Sequence, residues 1–328
     1  VGDPKPPGYL GGEESLLRTI AEILTRALGP APNGELWSGD DAAVVRLAGA
    51  VPNPLLLTVD AVVEGVHVDL GYGTAEDLGW KAIAVAVSDI AAMGGQADRA
   101  VVALGGPPGT DVRAIVTGMA AASTEWNCPL VGGDLTEAPV IVVSTTVVGT
   151  LGDGPPAVTR AGARPGDTLF VTGPLGASAA GLRVLRQATG SIATWTPPDA
   201  ETAALVSAYR RPRARLAEGW TARHTGVSAM LDCSDGLALD LHRLADASGV
   251  GFQLETVPVA QGAAEAEALG GGEDYELILA TPEPEALIAS FAAAGHRVPV
   301  RIGMCGTDVN ERRLQSKELP ALGWQHDL

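Results

Sequence analysis

Apolar positions follow two rhythms along this chain, and their alternation predicts an α/β protein. Residues 54–60, Pro-Leu-Leu-Leu-Thr-Val-Asp, are apolar on both faces and read as a buried strand that ends on a carboxylate. Over 74–93 the rhythm changes to helical, with Trp80, Ile83, Val87 and Ile90 on one face and Gly94-Gly95 as the stop. Asp89 sits near the end of that helix among alanines, where an unpaired buried carboxylate would be costly. An amphipathic helix is predicted over 13–28, short strands at 42–47, 100–104 and 140–148, and a further helix at 111–126. The order is β-β-α-β-α-β, an α/β unit with a mixed or antiparallel sheet.

Gly149-Thr-Leu-Gly-Asp-Gly-Pro-Pro156 is the strongest linker signal. It divides the chain into a loose tail (1–12), a first α/β domain (13–150) and a second (151–328). The second half alternates again, with strands at 168–172, 227–231, 251–254, 275–280 and 298–302. Helices are predicted at 177–188, 200–209, 213–223, 237–247 and 283–294.

Charge narrows the function. Lys and Arg total 22 against 39 Asp and Glu, a net charge of -17, which argues against nucleic acid as a partner. The same field would repel ATP unless cations stood between protein and phosphate. No apolar stretch approaches the roughly 20 residues of a membrane span, and the first residues carry no apolar signal region, so a cytoplasmic protein is expected. Cys128, Cys233 and Cys305 are too scattered for a disulfide framework or a zinc site. Phosphate-binding P-loop, dinucleotide fingerprint, nucleophile-elbow and H-E-x-x-H motifs are all missing from the sequence.

Aspartate remains. Asp40, Asp60, Asp89, Asp134 and Asp232 each stand beside glycine or at an element end. Taken singly, each suits a turn or a helix cap. Gathered, they would repel strongly unless hard divalent cations lay between them, and an all-oxygen set suits Mg²⁺ or Mn²⁺ rather than zinc. Thr58 adds a hydroxyl close to Asp60. Gly132-Gly133 before Asp134, and Gly236 after Asp235, read as turns able to offer N–H groups to phosphate. The Asp232-Cys-Ser-Asp-Gly segment leads into a helix, whose N-terminal end favours an anion. Arg160, just past the linker, is either a phosphate contact or a solvated loop residue.

Several segments occur together, in order: Thr58-Val59-Asp60 with His67, Ser88-Asp-Ile-Ala-Ala-Met-Gly94, Val131-Gly-Gly-Asp134, Thr159-Arg-Ala-Gly-Ala-Arg-Pro-Gly-Asp167, Asp232-Cys-Ser-Asp-Gly236 and Gly271-Gly-Glu-Asp-Tyr-Glu-Leu277. As a set they resemble the thiamine-monophosphate kinase family, of the aminoimidazole ribonucleotide synthetase-like superfamily. The resemblance implies two α/β domains of that type, the N-terminal ones pairing through their sheets in a homodimer. It implies ATP-dependent phosphorylation of thiamine monophosphate to thiamine diphosphate. Asp40, Thr58, Asp60, Asp89, Asp134, Asp232 and Asp235 are then Mg²⁺ ligands, with Asp60, Asp89, Asp134 and Asp232 central to catalysis. Gly133, Asp134, Arg160 and Ser234 are ATP contacts, and His67, Glu273 and Trp324 contact thiamine monophosphate. The chain departs from the family pattern at Val59, Ala86 and Asp327. Two alternatives stand beside this reading: another ATP-using enzyme of the superfamily, and a non-catalytic ATP-binding scaffold.

The implied chemistry suits the residues. A phosphate acceptor has a second pKa of about 6, so it is largely ionised at neutral pH and needs no general base. Neutralising charge and aligning two phosphates in line are what remains to be done.

Overall fold

The computed structural model describes residues 29–37, 40–46, 54–188 and 195–326, together with Glu22, Thr25 and Arg26. The predicted tail, most of the first helix, Gly39 and Asp327 lie outside the described residues.

Five strands form the first sheet: β1 (Ala43–Val45), β2 (Leu55–Val63), β3 (Gln96–Gly106), β4 (Leu130–Glu137) and β5 (Val142–Thr150). Their order is β1-β2-β5-β3-β4, with β3 and β4 parallel and the other pairs antiparallel, so the sheet is mixed. The opening strand does not stop at its carboxylate. β2 continues through Asp60 to Val63, because β5 pairs with it along its whole length, from Leu55 opposite Thr150 to Val63 opposite Val142. Nor is it buried on both faces. Leu56, Thr58 and Val62 are buried, whereas Leu57 and Val59 are 41% and 65% exposed. An exposed apolar face results, shared with Val101.

The opposite face is covered by α1 (Ala75–Ala92) and α2 (Val112–Glu125). Thr74 and Asp77 close a capping box at the start of α1, each side chain taking the other's backbone N–H at 3.1 Å. Glycine lets the two helices meet backbone to backbone: a Cβ at Gly118 would lie 1.9 Å from the Glu76 carbonyl oxygen. Helix α1 is buried almost all round, which its high alanine content permits. Gly132-Gly133-Asp134, expected as a turn, is part of edge strand β4. At Gly133 a Cβ would stand 2.1 Å from the Val102 carbonyl oxygen, so glycine serves close strand approach there.

The predicted linker begins late, since Gly149 and Thr150 complete β5. Beyond it the buried Arg223 guanidinium donates to the Leu151 and Pro155 carbonyls at 2.5 and 2.6 Å. The second sheet contains β6 (Thr168–Val171), β7 (Ala229–Asp232), β8 (Gly251–Leu254), β9 (Leu277–Thr281), β10 (Val300–Gly306), β11 (Arg312–Leu314) and β12 (Lys317–Glu318), in the order β12-β11-β8-β10-β6-β9-β7. Helices α3 (Ala177–Gln187), α4 (Ala200–Arg210), α5 (Leu216–Thr225), α6 (Leu237–Ser248), α7 (Glu265–Gly270) and α8 (Pro284–Ala293) accompany it. Helix α5 begins later than expected because 212–215 serves the first half: the Trp80 and Trp126 indoles donate to the Pro212 and Ala214 carbonyls at 2.8 and 3.2 Å. Among the described residues no helix is long and apolar enough to cross a membrane.

Candidate active site

Three carboxylates from separate segments meet where the halves touch. Asp41 precedes β1, Asp89 lies in α1, and Asp232 ends β7. One oxygen of each lies within 4.8 Å of those of the other two. Asp232 is buried and the others are half-buried. Burial raises all three carboxyls above the usual range, and like charge adds to it: Asp232, Asp60 and Asp41 act on Asp89, and Asp41, Asp240 and Asp235 on Asp232. Hydroxyls orient two of them. Thr58 donates to Asp89, and Ser88 donates to Asp232 at 2.5 Å.

The neighbouring Asp40 was the sequence's choice, but its carboxylate accepts the Arg160 backbone N–H, 3.0 Å away from Oδ2. Burial followed by the Asp41 charge pushes Asp40 up to about 6. The Arg160 guanidinium pairs with Asp41, whose Oδ2 is buried with no hydrogen-bond partner. Asp60 accepts the Ala61 N–H at 2.7 Å; burial raises its carboxyl, with further upward pressure from Asp235 and Glu273.

Asp235 pairs with Arg243 at 2.5 Å, and Arg243 also bonds Asp240 at 2.9 Å. Asp240 is buried and pushed to about 7, chiefly by desolvation, while accepting the N–H groups of Asp235 and Gly236. That acid holds the turn between β7 and α6. Ser234 contributes its carbonyl, which takes the Glu273 N–H at 2.6 Å.

Backbone strain concentrates at the Glu273 segment. Gly272, Glu273 and Tyr275 have φ of 67°, 58° and 51°, three left-handed residues within four positions. The Glu273 carboxylate meets the Lys81 ammonium at 2.8 Å. Beside it a cavity of about 290 Å³ is lined by Ser178, Leu182, Arg186 and Tyr209, among others. His67 accepts the Val63 N–H on Nδ1 at 3.1 Å, and burial lowers its pKa, so the neutral ring carries its proton on Nε2. His67 and Trp324 both pack edge-on against His326, at ring separations of 5.4 and 6.0 Å. Trp324 is 51% exposed and anchored through its own N–H to the Asp235 carbonyl.

Asp134 is placed apart. In the row across the sheet, Asp60 pairs with Thr145, Thr145 with Val102, and Val102 with Gly133. Three strand spacings put Gly133 and Asp134 roughly 14 Å from Asp60 within one chain. The structure therefore brings together Thr58, Asp60, Asp89, Asp232 and Asp235 with Asp40 and Arg160, and leaves Gly133 and Asp134 on an exposed edge. Sequence reasoning missed Asp41, Lys81 and Arg243. A doubled acid and a lysine within an apolar helix were the signals available.

Residues 39–151 match the family model described as AIR synthase related protein, N-terminal domain, and residues 164–308 match its C-terminal domain. Thiamine-monophosphate kinase of Corynebacterium glutamicum is 35% identical over 287 residues, covering 82% of each chain. That of Halobacterium salinarum is 35% identical over 324 residues, covering 96% of this chain and 99% of its own. Among solved structures, AaThiL complexed with AMPPCP and TMP superposes with a TM-score of 0.79 at 29% identity, covering 97% of this chain and 100% of that one.

Proposed function

This chain belongs to the thiamine-monophosphate kinase family, and from that premise we propose how it phosphorylates thiamine monophosphate with ATP: by direct in-line transfer at a site whose aspartates hold Mg²⁺. One observation carries the metal reading, the convergence of Asp41, Asp89 and Asp232 oxygens within 4.8 Å. Buried, mutually repelling and all-oxygen, with Asp41 Oδ2 unpartnered, this donor set fits a hard divalent cation. Bound there, Mg²⁺ would supply charge neutralisation and a template for the polyphosphate. The remaining work falls to the chain. Asp40, Thr58, Asp60 and Asp235 complete the ligand set in this reading, with the Ser88 and Thr58 hydroxyls fixing how the carboxylates face. Arg160 and Ser234 meet the nucleotide. Neutral His67 offers an Nε2–H to the acceptor phosphate, while Glu273 suits the thiazolium charge and Trp324 its flat rings.

The transfer itself is testable. With ATP chiral at the γ-phosphorus, the product should show inversion; retention, or a trapped aspartyl-phosphate, would overturn direct transfer. Purified protein with ATP, Mg²⁺ and thiamine monophosphate should give thiamine diphosphate by ³¹P NMR, whereas ATP binding without turnover would support the scaffold.

We extend the proposal to a homodimer and to a division of the chain at 149–156. The apolar face of the first sheet, with Leu57, Val59 and Val101 exposed, ends at the open edge of β4, a strand on which Val131 and Leu135 are exposed too. Asp134 and Gly133 stand on that edge, so their role toward metal and ATP requires a second copy. Val101→Asp should convert dimer to monomer in light scattering behind size exclusion; an unchanged mass would remove this face from the interface.

A further inference from the structure

Among the described residues Lys81 is the one buried lysine, 1% exposed in the middle of α1. A buried ammonium must spend its N–H groups on partners, and this one does. It donates to the Glu273 carboxylate at 2.8 Å and to the His67 carbonyl at 3.1 Å, and it lies 4.7 Å from the centre of the Tyr209 ring. The first two partners belong to the two polar residues assigned to the acceptor, and they come from opposite halves of the chain.

Glu273 has reason to need it. Its backbone sits at φ 58°, a conformation that persists only where surroundings hold it. Its charge faces Asp60, whose carboxyl it helps to raise. Without a cation, Glu273 would turn away from those acids. The His67 carbonyl, on the loop after β2, would likewise lose its donor.

We infer that Lys81 is a positioning residue for the acceptor, clamping the Glu273 carboxylate and the His67 loop into one substrate-contacting unit. This rests on the reading of Glu273 as an acceptor contact. Lys81 holds only groups assigned to the acceptor, so its loss should fall on one substrate.

Steady-state kinetics of Lys81→Met, Glu273→Gln and the double variant test it. Lys81→Met should raise the KM for thiamine monophosphate at least about tenfold, with the KM for ATP within about twofold. The double variant removes both charges of the pair. It should regain the melting temperature that Lys81→Met loses, yet keep the raised acceptor KM. This separates positioning from mere support, and it serves alone if Lys81→Met does not fold. An unchanged acceptor KM in Lys81→Met, an equal rise in both KM values, or a double variant with the parent's acceptor KM would overturn the inference. If Glu273→Gln itself leaves the acceptor KM at the parental value, the Glu273 reading fails first.

Discussion

Asp89→Asn should lower kcat by about a thousandfold or more while the metal-free protein melts higher than its parent. Both effects have one source. The Asp89 carboxyl is driven up first by burial, then by Asp232, Asp60 and Asp41, so an ionised side chain there destabilises the metal-free fold. Asparagine removes that charge but keeps a carbonyl oxygen for the Thr58 hydroxyl. An acid with a purely structural role would behave oppositely, since its loss would lower the melting temperature. Turnover and circular-dichroism melting in EDTA decide between them. Near-parental turnover at ordinary Mg²⁺ would end the metal reading.

The second large effect is on pH and metal together. Burial pushes Asp40 up to about 6 and Asp240 up to about 7, from an ordinary 3.8, and raises Asp41, Asp89 and Asp232 as well. A raised carboxyl binds its proton more tightly in the folded state. Its stabilising contribution is complete below pH 3.8 and is lost as pH climbs through the folded value. Metal-free protein should therefore lose stability between pH 4 and about 7 through these groups. Cations compete with protons for the same oxygens, so Mg²⁺ should restore most where the protons have gone. At a hundredfold excess over its Kd, a cation adds about 2.7 kcal/mol, or about 5 °C. The Mg²⁺-induced shift should be of that size at pH 8 and vanish towards pH 5. A shift that grows on acidification would place the cation elsewhere.

The long helix, its stop and the Asp89 anomaly were legible because they are local: spacing, a Gly94-Gly95 pair, and a carboxylate among alanines. What escaped was set by distant partners. Asp40 and Asp41 are indistinguishable in sequence, and Arg160, from beyond the linker, sorts them. Lys81 read as an ordinary helix residue because its counter-ion lies 192 positions away. The Gly132-Gly133 pair resembled a turn, but the pressing backbone of β3 makes it a strand. Distance from Asp134 to Asp60 depends on strand order, which no local window contains. The Asp232 to Gly236 segment was recognisable as a strand-to-helix turn; that a buried Asp240 stitches it was not.

The placement of the three converging acids also bears on how such a chain can be inherited. Asp41 and Asp89 precede the linker and Asp232 follows it, so neither half carries all three acids. Under the metal reading, a gene fragment encoding either half alone would lack that convergence, and recombination between halves must preserve the seam as well as each core.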